Sequence, residues 1–302
     1  MKKRLYTVCV LIVCFALCTA LLCGAAAESG APIAENLSFE TYRGVSFGGT
    51  LKAHDPDGVG LRFELTTKPV KGELELNDDG SFIYTPFEGK KGRDYFGYRA
   101  VDTQGDRSQE ATVIIRLKKC ADAISYEDMH GHASEYSAVK LSECGAFTGI
   151  SIGGHYYFEP DAQVSRGEFL SLCLETTGTK LLSGVVSTGF SDDGDIPAYL
   201  KPYVSTAVLN GVISGKISNG SSVFDADEPI SRAEAMVILN NALMLSDVSY
   251  MRVDDSVPAW AVQSAANLRA YRIVSDTENA EDALTRAQCA ELLVGAMRQL
   301  GH

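Results

Sequence analysis

From Cys120 onward the same short pattern returns three times, and that recurrence narrows the folds open to the chain. The first copy reads Tyr126-Glu127-Asp128, then Gly145 and Gly149, then Phe158-Glu159-Pro160, then Val164-Ser165-Arg166-Gly167-Glu168. The second reads Phe190-Ser191-Asp192, Gly211 and Gly215, Phe224-Asp225-Ala226 and Ile230-Ser231-Arg232-Ala233-Glu234. The spacings agree: 21 residues separate Gly145 from Arg166, and 21 separate Gly211 from Arg232. The third copy reads Val253-Asp254-Asp255, Trp260-Ala261, Ile273-Val274-Ser275 and Leu284-Thr285-Arg286-Ala287-Gln288. It is shorter, has Arg272 and Asp276 in place of the two glycines, and lacks a Phe-x-Pro loop. Self-similarity of this kind marks repeated supersecondary units, with expected bounds of 122–180, 186–247 and 250–300.

Each copy ends on the start of a helix. Ser165-x-x-Glu168, Ser231-x-x-Glu234 and Thr285-x-x-Gln288 are capping boxes, in which the hydroxyl takes a free N–H and the N3 side chain reaches back. An apolar run follows each, so each box opens a core helix. The arginine inside the box is less easily explained, because a cation at a helix N-terminus opposes the macrodipole. Either Arg166, Arg232 and Arg286 pair with acids such as Asp128, Asp192 or Asp254, or each guanidinium joins free N–H groups in an anion site. Trp260 is the single tryptophan, with Tyr199 at the equivalent place in the second copy and Ala133 in the first. An aromatic there either packs in the core or stacks on a sugar ring.

Before Lys118 the texture is β. Residues 61–67, 73–76, 81–85, 94–101 and 111–117 alternate apolar and polar with turn residues between them. Short strands spaced in this way predict an all-β, immunoglobulin-like sandwich over 31–118. Asp79-Gly80 predicts a hairpin with a primed turn, positive φ at both residues.

The stretches Asp55-Pro56-Asp57-Gly58, Asn77 to Pro86 and Asp94 to Asp102 resemble bacterial cadherin-like, immunoglobulin-like repeats. Some such modules bind calcium through acidic loops. The resemblance makes Asp55, Asp57 and Asp102 candidate ligands, although the same residues also shape turns. The C-terminal repeats resemble S-layer homology modules. That family has an aromatic-Ser-Asp start, a Trp-Ala helix, a Gly-Ile-x-x-Gly turn, a Phe-x-Pro loop and a Thr-Arg-Ala-Glu helix start. The resemblance implies a mainly α-helical, pseudo-threefold trio that binds a secondary cell wall polymer, often pyruvylated, or a peptidoglycan-linked glycan. It also implies polymer binding by the arginines, with Asp128, Asp192, Tyr199 and Trp260 as further candidates. The third copy has lost its turn and loop, so Arg232 is expected to contribute most, Arg166 next and Arg286 least.

Met1 to Ala27 reads as a secretory signal peptide: Lys2, Lys3 and Arg4, then an apolar run, then small residues. An uncleaved membrane anchor is the alternative. Cleavage takes the formal charge from −12 to −15, which argues against nucleic-acid and membrane partners. A protein so released, without a sorting signal at its tail, needs non-covalent retention at the wall. Cys120, Cys144, Cys173 and Cys289 remain, with no C-x-x-C spacing; they read as small hydrophobes, with disulfides permitted outside the cell. No catalytic motif stands out, and His130, His132 and His155 read as solvated. The expectation is therefore a multidomain, non-enzymatic surface protein. The competing reading is an adhesion protein whose sandwich binds another surface protein or a glycan, the repeats being a scaffold.

Overall fold

The computed structural model describes residues 30–120, 124–249, 252–275, 277 and 279–301. The signal peptide read over 1–27 lies outside them. A β-rich N-terminal domain is followed by a helical C-terminal region.

The β domain runs through β1 (Ile33–Ala34), β2 (Leu37–Tyr42), β3 (Phe47–Thr50), β4 (Ala53–His54) and β5 (Leu61–Thr67). It continues with β6 (Gly72–Leu76), β7 (Ser81–Pro86), β8 (Gly92–Asp102) and β9 (Ala111–Lys118). One sheet has the order β2-β9-β8-β5 and the other β3-β7-β6, with β1 and β4 paired apart. All pairs are antiparallel except β2 with β9. Alternation explains the layering: β9 buries Ala111, Val113, Ile115 and Leu117 and exposes each residue between them. These pack with Phe82, Tyr84, Phe96 and Tyr98 in the domain core, where burying one large apolar side chain contributes about 1.5–3 kcal/mol.

The hairpin at Asp79-Gly80 joins β6 to β7, but its turn is not primed. Only Gly80 has positive φ, at 87°. Gly80 N–H donates to the Asn77 carbonyl at 3.0 Å and Asn77 N–H to the Ser81 carbonyl at 2.9 Å. A longer loop of this kind is built on an ordinary turn closed by one left-handed glycine, so the Asp-Gly pair located the hairpin and not the turn type.

The helical region contains α1 (Glu135–Glu143), β10 (Ile150–Ile152), β11 (His155–Tyr157), α2 (Arg166–Thr176) and α3 (Lys201–Leu209). Then come β12 (Lys216–Ser218), β13 (Ser221–Val223), α4 (Arg232–Leu243), α5 (Val262–Ala270) and α6 (Arg286–Leu300). Ser231 and Thr285 form reciprocal capping boxes. At α2 the Ser165 hydroxyl takes the Glu168 N–H but Glu168 does not reach back to the Ser165 N–H, so the first box is half made.

The three helix starts are tied together in a closed circuit. Val164 N–H donates to Leu284 O at 3.0 Å, Leu284 N–H to Ile230 O at 2.8 Å, and Ile230 N–H to Val164 O at 3.0 Å. All three residues are fully buried. One step on, Arg166, Arg232 and Arg286 donate their N–H to Glu228, Asp282 and Ala162 at 2.8–2.9 Å. Gly167, Ala233 and Ala287 donate to Ala226, Ala280 and Pro160. Each helix start is therefore satisfied by the loop of the next repeat. Glu159, Asp225 and Asn279 turn these loops with φ of 55°, 56° and 51°. The third repeat, expected to lack the loop, keeps its left-handed turn at Asn279, but among the described residues no strand pair like β10–β11 or β12–β13 lies between α5 and α6.

The β domain is docked onto this region, not strung before it. Gly48 N–H donates to Ala133 O at 2.8 Å and Tyr136 N–H to Ser46 O at 3.1 Å. The buried Glu135 carboxylate accepts from Ser46 N–H at 2.9 Å, and the Tyr42 hydroxyl donates to Glu143. Tyr42 and Val45 belong to the buried cluster of the helical region. A Cβ on Gly48 would lie 2.7 Å from the Ala133 Cβ, so both the glycine and the small alanine are needed for the approach. The four described cysteines form no disulfide with one another; Cys173 and Cys289 are buried, Cys120 is half-buried and Cys144 exposed.

Candidate functional site

Tyr199, Trp260 and Ala133 each stand two residues ahead of their helix, α3, α5 and α1. Tyr199 is 71 % exposed and Trp260 60 %, which removes the core-packing alternative for both. Ala133 instead lies under β3.

Arg166 and Arg286 pair with Glu234 and Glu159 instead of the acids expected. Asp128 accepts the N–H groups of Phe158 and Glu159 at 2.8 and 2.6 Å. Asp192 accepts those of Phe224 and Asp225 at 3.0 and 2.8 Å. Asp254 accepts from Ser256 N–H at 2.8 Å. Asp128 and Asp192 thus tie the start of their repeat to the loop that follows its hairpin, and Asp254 shapes its own turn. The helix N–H groups counted toward an anion site are likewise occupied, as described above.

Each arginine reaches across to the following repeat. Arg166, only 6 % exposed, lies over the Phe224 ring at 5.5 Å and 3.5 Å from the Glu234 carboxylate. Arg286 lies over Phe147 at 5.3 Å and bonds Phe158 O at 2.8 Å and Glu159 at 2.9 Å. Arg232 faces the Arg272–Ser275 turn of the third repeat. An arginine's setting is thus decided by the next repeat's turn. The intact Gly211 to Gly215 turn faces Arg166, and the altered third turn lines the same cleft as Arg232.

The Arg166 setting is an open groove of about 720 Å³ lined by the 211–216 turn, Glu234, Asn241 and Trp260. Glu234 also receives Lys216 at 2.9 Å and caps its own helix through Ser231 N–H at 3.1 Å. Burial raises the Glu234 carboxyl, but Lys216, Ser231 N–H and Arg166 outweigh it and hold the group below its ordinary range. Burial pushes the Arg166 guanidinium below its ordinary value, against the pull of Glu234 and Asp225. Two cations therefore share one carboxylate, and the Arg166 Nε is buried without a hydrogen-bond partner. Arg166 and Lys216 suit an anionic group, and the exposed indole nearby suits a ring face. Sequence reasoning missed Lys216, which no motif marks, and read Glu234 only as a cap.

Asp55 and Asp102 are buried, each accepting two loop N–H groups with Oδ1 and leaving Oδ2 without a partner. Asp57 accepts from Gly30 N–H at 2.9 Å. Among the described residues no three His, Cys, Asp or Glu gather as a metal would require. His155 pairs with Glu127 at 2.7 Å, and the His132 ring nitrogen accepts from Ser134 N–H.

The architecture is that of a surface module: a β-sandwich joined to a helical region of capped, arginine-bearing repeats. Residues 29–119 match the bacterial cadherin-like domain family, and residues 189–236 match the S-layer homology domain family. Both matches are to non-catalytic families. A 125 kDa surface-layer protein of Lysinibacillus sphaericus is 28% identical over 144 residues. That alignment covers 45% of this chain and 12% of the relative. The chain is a cell-surface, cell-wall-associated protein. Among the described residues no helix is long and apolar enough to cross a membrane. Solved structures with a local likeness include an endo-fucoidan hydrolase of glycoside hydrolase family 107, 18% identical, TM-score 0.25, covering 31% of this chain and 17% of that one. Fibronectin(III)-like modules of Clostridium thermocellum CbhA are 20% identical, TM-score 0.21, covering 30% and 48%. Likenesses this slight carry no argument about activity.

Proposed function

We propose that the chain is a non-catalytic surface protein held to the wall by three S-layer homology modules, over 122–180, 186–247 and 250–300, arranged about a pseudo-threefold axis. The closed circuit through Val164, Ile230 and Leu284 supports the threefold reading. The ligand in this reading is an anionic secondary wall polymer, often pyruvylated in such systems, or a peptidoglycan-linked glycan. The observation that carries it is the Arg166 groove, where two cations share one carboxylate beside an exposed Trp260. A charge-assisted hydrogen bond contributes about 1.5–3 kcal/mol. Arg166→Ala and Trp260→Ala are each expected to lower wall affinity at least tenfold with helix content unchanged. Arg286→Ala is expected to lower it less, because Arg286 already has Glu159 to itself. Undiminished sedimentation of the Arg166 variant with purified wall sinks the reading.

Calcium at Asp55 and Asp102 is a second, smaller proposal, resting on their two orphan oxygens. The loop from Asp55 leads into Leu61, which pairs with Asp102, so both sit at one end of the sandwich. Ligand binding to the folded state alone raises stability by about 2.7 kcal/mol at a hundredfold excess over Kd. Millimolar calcium, and not magnesium, is expected to raise the melting temperature by several degrees. No change assigns both residues to turn shaping.

A further inference from the structure

The two domains differ in charge. Residues 31–119 carry 13 Lys and Arg against 14 Asp and Glu, whereas residues 120–302 carry 11 against 24. Sandwich cations collect on the outer face of the β2-β9-β8-β5 sheet. Arg62, Arg99 and Arg107 share the single carboxylate of Glu64, and Arg116 and Lys118 share Glu40. Arg93 stands directly opposite Arg116 in the β8–β9 ladder, and like charges facing each other across a ladder are destabilising. With Glu110 beside Gly97, six cations stand against three carboxylates. Between them Tyr95 pairs with Ile114, and these two are 57 % and 40 % exposed. Bare apolar surface framed by arginines has the make-up of a protein interface. The contacts that dock the sandwich use β3 and the Tyr42–Ser46 corner and leave this face exposed.

The opposite charge gathers at one end of the helical region. The loops ahead of α2, α4 and α6 bond to one another's helix starts in the closed circuit. That closure brings Asp161, Asp227, Glu228, Glu281 and Asp282 around the same end, all of them exposed. Glu228 and Asp282 join the circuit through their backbone carbonyls. The loop stretches 158–164, 224–230 and 279–284 contain no lysine or arginine, so nothing in them offsets the acids.

We infer that the basic sheet face of one copy docks on the acidic loop end of a second copy. The chain carries both complementary surfaces, and they lie on different domains. The contact joins unlike surfaces, so each pair leaves one basic face and one acidic end free, and the association propagates from copy to copy. Exposed ion pairs are weak singly, so Tyr95 and Ile114 supply the apolar centre of the contact and the charges set its orientation. The inference does not depend on what the Arg166 groove binds.

Sedimentation velocity of the full chain tests it. Association that rises with concentration at about 20 mM salt and is lost at about 500 mM, where exposed charges are largely screened, is the expected result. Arg93→Glu combined with Arg116→Glu is expected to weaken the association at least tenfold, and so is Asp227→Lys combined with Glu228→Lys. Mixing the two variants is expected to restore it, because each supplies the intact face that the other has reversed. A variant that had merely unfolded would not be rescued in this way. A chain that stays monomeric at low salt, variants that associate as before, or a mixture no stronger than either variant alone overturns the proposal. A monomer that binds poly-glutamate through Arg93 and Arg116 also overturns it, and makes the occupant a foreign acidic chain.

Discussion

Replacing Asp94 with alanine is expected to destabilise the sandwich by about 4 kcal/mol, the largest single-residue effect in the domain. Asp94 is fully buried. Its carboxylate accepts from Val70 N–H at 3.1 Å, Lys71 N–H at 2.8 Å and the Tyr84 hydroxyl at 2.9 Å. Tyr84 is itself fully buried, and burial with the adjacent carboxylate pushes its phenol well above the ordinary value. Alanine leaves three donors without an acceptor, and each buried orphan costs about 1–3 kcal/mol. A domain of this size has only about 5–15 kcal/mol in all. Tyr84→Phe keeps two of the three bonds and is expected to cost about 1–2 kcal/mol. Urea unfolding followed by circular dichroism measures both. A loss under 1 kcal/mol for the alanine variant would show that water or a rearranged loop replaces the carboxylate.

Deleting residues 252–301 is expected to abolish cooperative folding of the remaining helical region. The deletion removes Asp282 and Ala280, which accept from Arg232 and Ala233 N–H, and Leu284, which accepts from Val164. It also strips α5 from α4 and α6 from α1 and α2, pairs that pack against each other. The exposed faces include Met236, Leu239 and Leu170, all fully buried. In an open solenoid each repeat touches only its neighbours, and removing an end repeat leaves the others folded. In a closed circuit no repeat is terminal. A truncated protein that keeps its helical signal and melts in one sharp step would overturn the closed-circuit account. The β domain is expected to keep its β-type spectrum in the same truncation, since its core of Phe96, Tyr98, Val113 and Ile115 is its own.

Much was legible along the chain because it rests on short-range chemistry. Alternation placed β5 to β9 within about two residues of their observed ends, and the Ser or Thr before each arginine located α2, α4 and α6. The strands β1 to β4 were missed. β1, β3 and β4 are two to four residues long, and β3 reads Phe47-Gly48-Gly49-Thr50, so no apolar alternation marks them; β2 alternates at Leu37-Ser38-Phe39-Glu40 and stands alone among them. Gly48 is explained by the nearness of Ala133, more than eighty positions away in the chain, and Gly49 by the Phe82 ring.

The three arginines divide the matter most clearly. The sequence alone determined that each sits at a capped helix start, because a cap is made by residues three apart. It also determined that the chain carries two kinds of module, since alternation with period two and capped helix starts are both local signals. Only the tertiary structure decided what each arginine meets. Arg166 reaches Glu234, Lys216's partner, and a neighbouring Trp260, while Arg286 reaches Glu159 from the far end of the repeats. It also decided that the sandwich lies over the first repeat and helps line the cleft holding Arg232. The physical reason is closure. When the last repeat bonds back to the first, partners are set by position around the circuit, and separation along the chain no longer says which groups meet.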